Sequence, residues 1–285
     1  MKNPYFSVVI PTLNEEKYVP KLLGDLVRQK TSVPFEVIVV DSYSEDETIA
    51  SVRKFKDSFI SLSIFNTKIR NQAYQRNYGG SKATGKYIIF IDADSRVDNR
   101  FITHLYKSTK KYKNLVFLPK IIPQEQSYID DTLFTFGNYF VELSQIIGKP
   151  LPTAGCMIFQ KDFFIFIGGY KAVDSKKFLY PDDHDLILRT RKAGVIAQYL
   201  RDISVKFSLR RLKKEGRLTV SRKYFISTIE MLIKGELQTR VKYEMGGQYY
   251  VDSHKADKYS KKKLGYYLKK ISELKDQILN FENTG

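Results

Sequence analysis

Lys86-Tyr-Ile-Ile-Phe-Ile91-Asp92-Ala93-Asp94 is the stretch on which the reading of this chain turns. Tyr87 to Ile91 is an unbroken apolar run of β-branched and aromatic residues, the pattern of a strand buried on both faces. It stops at two carboxylates, Asp92 and Asp94. In an open α/β sheet, the carboxyl edge of the strands is where ligands sit. Two acids side by side repel each other unless a cation or a set of donors holds them. A divalent cation bridging a diphosphate meets that need, because hard cations take carboxylate and phosphate oxygens. For the three residues alone, an Asp-rich turn bonded to its own backbone through Asp94 or Ser95 is the better account. The neighbouring segments change that balance.

Ser7 to Ile10 reads as a short buried strand, followed by Pro11-Thr12-Leu13-Asn14-Glu15-Glu16. Asn14 as N-cap, with Glu15 and Glu16 in the first turn, predicts a helix to about Gln29. Phe35 to Val40 predicts a second strand ending at Asp41, with Ser44 or Asp46 capping the helix after it. Ile60 to Phe65 predicts a third strand and Asn71 to Ala83 a third helix. Strand–helix alternation of this length means βαβ units, right-handed crossovers and a mostly parallel sheet. Thr12 near Glu15, then Asp41, then Asp92 with Asp94 therefore fall along one sheet edge, which makes a nucleotide-sized pocket. No Gly-x-Gly-x-x-Gly follows the first strand, and no Gly-x-x-x-x-Gly-Lys-Ser/Thr occurs in the chain. A metal on Asp92 and Asp94 would then hold phosphates in place of a glycine cradle.

The 285 residues, 42% of them hydrophobic, suffice for one large domain or a domain with an appendage. A single cysteine, Cys156, excludes a disulfide framework and fits a reducing compartment. No apolar run approaches the ~18–20 residues of a membrane span. No signal-peptide pattern opens the sequence. The expectation is a cytoplasmic chain, soluble or peripheral on a membrane face. The net charge of +17 asks for an anionic partner. Basic residues cluster from Lys206 onward, at Arg210-Arg211, Lys213-Lys214, Lys261 to Lys263 and Lys269-Lys270. Taken singly, each cluster reads as a solvated face. Nucleic-acid binding would leave the ordered acids unexplained, so none is expected, and a glycosidase built on paired carboxylates needs no nucleotide pocket.

Six segments in order resemble the family 2 glycosyltransferases of the GT-A fold. They are Pro11 to Glu16, Asp41 to Thr48, Gln75-Arg76-Asn77-Tyr78-Gly79, Asp92-Ala93-Asp94, Gly155 to Phe163 with Gly168-Gly169-Tyr170, and Pro181-Asp182-Asp183-His184-Asp185-Leu186. Asp182 stands where the family usually has Glu. The resemblance covers residues 5 to about 200. It implies a GT-A catalytic domain over residues 1–210, with a helical, basic extension over 211–285. It also implies hexosyltransferase-like transfer, with inversion, from a nucleotide-diphospho-sugar to a hydroxyl on a glycan or lipid-linked acceptor. By the same resemblance Thr12, Glu15, Asp41, Arg76 and Asp92 contact the donor. Asp94 with Asp92 forms the DXD motif that holds Mg²⁺ or Mn²⁺, and Asp183 is the general base. The alternative is a nucleotide-sugar-binding homologue with little or no turnover.

Asp182 and Asp185 would raise the pKa of Asp183 by repulsion, whereas a helix N-terminus would lower it. Read alone, Asp182-Asp183 is an ordinary helix start. His184, between acids, reads as hydrogen-bonded or exposed, and His104 and His254 as structural. Many members of the family carry a histidine after the segment matching Ile203 to Lys206; here the position is Phe207, which cannot ligate a metal. Arg210 and Arg211 then either meet the diphosphate themselves or form a solvated basic turn. In the extension, Phe225, Ile226, Ile229, Leu232 and Ile233 share one helical face. Leu264, Leu268, Ile271, Leu274, Ile278 and Phe281 recur at threes and fours between lysines. These read as helices packed on the catalytic domain or as a basic amphipathic surface on an acidic membrane.

Overall fold

The computed structural model describes residues 3–125, 127–172, 182–210 and 213. The extension expected over 211–285, Lys213 apart, lies outside the described residues, and with it Arg211, His254 and the proposed membrane-facing segment Lys261 to Phe281. Among the described residues no helix is long and apolar enough to cross a membrane.

Eight strands form one sheet in the order β3-β2-β1-β4-β7-β6-β8-β5. β1 (Phe6–Thr12), β2 (Phe35–Asp41), β3 (Leu62–Asn66) and β4 (Tyr87–Ile91) make the parallel half. The other half is mixed. β7 (Cys156–Gln160) runs antiparallel to β4 and to β6 (Val116–Pro123), while β8 (Gln198–Phe207) is parallel to β6 and antiparallel to β5 (Arg96–Val97). The parallel half matches the strand–helix alternation. The antiparallel pairings are not visible in a pattern that reads strands one at a time.

The two-residue period of the strands sorts the core. Val8, Ile10, Val37, Val39, Ile89 and Ile91 face one side, where α1 (Val19–Val27) and α4 (Phe101–Tyr112) bring Leu22, Leu23, Leu26, Phe101 and Leu105. Val9, Ile38, Val40, Ile88 and Phe90 face the other side. There they meet Ala73 of α3 (Gln72–Lys82), Phe163 and Phe164 of α6 (Lys161–Phe166), and Leu186 and Ile187 of α7 (Asp182–Lys192). α3 lies unusually close to the sheet: a Cβ on Gly79 would stand 2.4 Å from Val9 Cγ1.

The chain steps outward from β1 to β2 and β3, and α3 then carries it back to β4 on the far side of β1. The strand order therefore reverses between β1 and β4. That reversal opens a crevice at their carboxyl ends.

Local details depart from expectation in three places. Asn14 does not cap α1, which begins only at Val19. Asn14 has φ +55° and its Oδ1 accepts from Glu45 N at 2.8 Å. The amides of Asn14, Glu15 and Glu16 donate to Ser44 Oγ, Thr48 Oγ1 and Asp46 Oδ2. The β2 loop thus satisfies donors that a helix start would have left open. Neither Ser44 nor Asp46 holds the N-cap of α2 (Thr48–Arg53), which is Glu47, although Asp46 Oδ1 accepts from Thr48 N at 3.0 Å. β3 starts at Leu62 rather than Ile60, whose side chain is left exposed.

Candidate active site

The wall of the crevice is a knot of polar groups at the ends of β1 and β2. Thr12 Oγ1 donates to Asp41 Oδ1 at 2.9 Å. Ser44 donates its N–H to Asp41 Oδ2 at 2.8 Å and its hydroxyl to Oδ1 at 2.5 Å. Thr12 and Asp41 are both fully buried. Gln75, on the inner face of α3, donates to Thr12 O at 2.8 Å and Val40 O at 2.7 Å, fixing the helix to both strand ends.

The next residue of α3 reaches the acids. Arg76 is buried, with NH2 2.8 Å from Asp92 Oδ1, NH1 2.8 Å from Asp183 Oδ1 and NH1 3.7 Å from Asp182 Oδ2. Its guanidinium carbon stands 5.1 Å from the centre of the Tyr170 ring. Asn77 holds that ring in place, donating to Tyr170 O at 2.7 Å and accepting from Tyr170 N at 2.8 Å. Gly169, at φ +60°, is needed for this turn, because a Cβ would meet Asn77 Oδ1 at 2.6 Å. Arg189 donates to Ile167 O and Gly169 O from the other side. The segments around Arg76, Tyr170 and Asp183 thus form one connected unit.

A second arginine closes the opposite end. Arg210 NH1 and NH2 lie 2.7 and 2.6 Å from the two oxygens of Glu15, and Nε lies 2.9 Å from Asp94 Oδ2. The guanidinium also stacks 4.7 Å above the Tyr18 ring. Arg210 is largely buried, so the solvated-turn reading is overturned for this residue. Sequence gave no signal for Tyr18, nor for Gln72, whose Nε2 donates to Asp92 Oδ1 at 2.8 Å.

Glu15, Arg76, Asp92, Asp94 and Asp183 therefore belong to one cluster of charged groups at the carboxyl end of the sheet, with Thr12 and Asp41 buried beside it. Burial raises the pKa of Asp94, against Arg210. Burial likewise pushes Asp183 up to about 7; Arg76 pulls it down, and the charges of Asp182 and Asp92 add to the rise. Asp185 plays no part in that rise. Its carboxylate pairs with Arg189 at 2.7 Å and Lys171 at 2.9 Å, which hold it below the usual carboxylate range against the opposing effect of burial. His184 is buried, and its Nε2 donates to Pro150 O at 3.0 Å. Cys156 is buried too, its thiol pushed far up and inert.

Among the described residues no group of three or more His, Cys, Asp or Glu is arranged to hold a metal. Asp92 and Asp94 nonetheless suit Mg²⁺ or Mn²⁺ chemically. Such an ion commonly takes one or two carboxylates and completes its shell with substrate phosphates and water. Phe207 packs beside this position, with Cδ2 3.1 Å from where a Cβ of Gly155 would be.

The model of glycosyl transferase family 2 matches residues 7–168, more than half of the chain. The chain belongs to this family. The match takes in Thr12, Glu15, Asp41, Arg76, Asp92 and Asp94 and stops short of Asp183. The poly(ribitol-phosphate) beta-N-acetylglucosaminyltransferase TarS of Staphylococcus aureus is 35% identical over 95 residues, which is 33% of this chain and 17% of TarS. A PGL/p-HBAD biosynthesis glycosyltransferase of Mycobacterium bovis is 28% identical over 175 residues, 60% of this chain and 64% of the relative. The fold is that of two solved transferase structures. S. aureus TarS 1-349 in complex with UDP-GlcNAc superposes with TM-score 0.54 at 20% identity, covering 80% of this chain and 65% of that one. The mannosyltransferase PcManGT of Pyrobaculum calidifontis, in complex with GDP-Man and Mn²⁺, gives TM-score 0.60 at 18% identity, covering 82% and 65%. This family 2 chain spans less than two thirds of the length of each of these relatives.

Proposed function

We propose that this chain is an inverting glycosyltransferase that moves a sugar from a nucleoside-diphosphate donor to a hydroxyl of a glycan or lipid-linked acceptor. The observation that carries the reading is Arg76, whose buried guanidinium spans Asp92 and Asp183 at 2.8 Å each. One rigid fork sets the spacing between the strand end assigned to the diphosphate and the carboxylate assigned to the acceptor.

In this reading Thr12, Glu15 and Asp41 form the nucleotide end of the cleft, with Arg76 and Asp92 toward the phosphates. A carboxylate offers about four acceptor positions. Asp41 uses three in the knot with Thr12 and Ser44, leaving one for a base N–H. Asp94, with Asp92, would hold a divalent cation, which supplies positive charge for the departing diphosphate. The acceptor oxygen attacks the anomeric carbon, and the bond to the diphosphate breaks with its electron pair leaving on oxygen. Asp183 takes the acceptor proton on a carboxylate oxygen that Arg76 keeps in a fixed orientation. Arg210 is set to leave Asp94 for the diphosphate, since guanidinium pairs with phosphate as readily as with carboxylate.

TarS with UDP-GlcNAc and PcManGT with GDP-Man and Mn²⁺ support a nucleotide-sugar donor and a cation. Their donors differ in base and sugar, so neither is assigned here. Phe207 favours a second reading, donor binding without turnover, because the histidine that many members carry is missing. The test is binding of UDP-, GDP- and dTDP-sugars with and without Mn²⁺, followed by transfer to an acceptor panel. Asp94→Asn should lose the cation-dependent part of donor binding, and Asp41→Ala should weaken nucleotide binding with or without cation. Donor and metal binding by Asp94→Asn equal to that of the parent would overturn the assignment. Donor binding with no turnover on any acceptor would leave the second reading.

A further inference from the structure

α5 (Tyr128–Ile146) is built inside out. Its fully buried side chains are polar, with Phe134 and Val141 partly buried among them. Asn138 exchanges two hydrogen bonds with the Ile121 backbone of β6. Ser144 Oγ accepts from Leu151 N at 2.9 Å, and Gln145 Nε2 donates to Leu151 O at 2.9 Å. The outward face is apolar. Leu133, Phe136, Phe140 and Leu143 on the helix, and Ile147 just past it, step by threes and fours along one stripe, each 45–64% exposed. A continuous row of this kind marks a surface that another element covers.

We propose that this stripe is the seat of the chain's own segment 264–281. Four observations select that occupant. Leu209 is buried against Phe134 of α5, so the chain reaches the helix just before the described residues end. Lys213 then pairs with Glu125, three residues ahead of α5, at 2.5 Å. The roughly fifty residues between Lys213 and Leu264 reach any point on a helix about 29 Å long. Finally, Leu264, Leu268, Ile271, Leu274, Ile278 and Phe281 repeat the spacing of the stripe.

The inference stands apart from the reading of the cleft and is tested without an activity assay. A photoreactive phenylalanine analogue replaces Phe140 in the full chain, and cross-linked peptides are mapped by mass spectrometry. The expected result is an intrachain cross-link, on monomer-sized protein, to a peptide within 264–281. Leu268→Asp with Leu274→Asp should abolish it while leaving the melting of the folded body unchanged. Cross-links joining two copies through α5 would overturn the proposal in favour of self-association. Adducts formed only with lipid vesicles would overturn it in favour of a membrane, and failure to capture 264–281 at all would overturn it outright.

Discussion

Arg210 Nε lies 2.9 Å from Asp94 Oδ2, so a side chain of this protein already sits where the proposed cation would bind. The two positive charges compete for one carboxylate. Arg210→Ala should therefore let Mn²⁺ bind the donor-free protein about tenfold more tightly, the worth of roughly one charge-assisted hydrogen bond. It should weaken binding of a nucleoside diphosphate by a similar factor. Electron paramagnetic resonance of Mn²⁺ and calorimetry of UDP and GDP read the two effects separately. Unchanged cation affinity would mean that Arg210 is no competitor.

Arg76 is buried among Asp92, Asp182 and Asp183, and its loss would leave those acids facing one another. Breaking such a pair from one side costs about 3–5 kcal/mol. Arg76→Ala should lower stability by that order in urea denaturation at pH 8. Arg76→Lys should recover little, because an ammonium cannot span Asp92 and Asp183 as a planar fork does. Full recovery by lysine would show that charge alone matters at this position.

The pH profile follows from the upward shift of Asp183. A general base works only when deprotonated, and a raised pKa keeps the proton on Asp183 to higher pH. The kcat/KM profile should thus fall on the acid side with a midpoint near 7, in line with the value of about 7 for this carboxylate. Asp182→Asn removes a neighbouring charge that raises Asp183, so it should move the limb to lower pH. An acid limb indifferent to residue 182 would place the titrating group elsewhere.

How much of this could be read in the sequence depends on range. Tyr87 to Ile91 announced β4 because a fully buried strand needs no partner to be recognised, and Asp92 and Asp94 followed from its end. Asn71 to Ala83 was legible because caps and periodicity are local; Asn71 does cap α3, accepting from Tyr74 N at 2.9 Å. Asn14 misled because its helix-start pattern lost to hydrogen bonds from a loop some 30 residues away. Arg210 showed only as part of a basic run, since its partner Glu15 lies 195 residues earlier in the chain. α5 defeats pattern reading differently: periodicity marks a stripe but does not say which side faces the core.

Asp183 and Asp182 stand next to each other at the start of α7, and the two readings of the cleft separate there. If Asp183 is the base, Asp183→Asn keeps shape and hydrogen-bonding reach while removing the proton acceptor. Turnover should fall by ~10²–10⁴-fold, the usual contribution of a positioned base. Donor affinity should change little, because Asp183 is assigned to the acceptor side. Asp182→Asn should cost less, since Asp182 lies 3.7 Å from Arg76 where Asp183 lies at 2.8 Å, and acts on the base only through charge. Steady-state transfer with a working acceptor gives the ranking; slow donor hydrolysis by water is a fallback that would understate it. A larger loss at Asp182 would move the base by one residue. Small, equal losses would return both acids to a helix start with no part in chemistry.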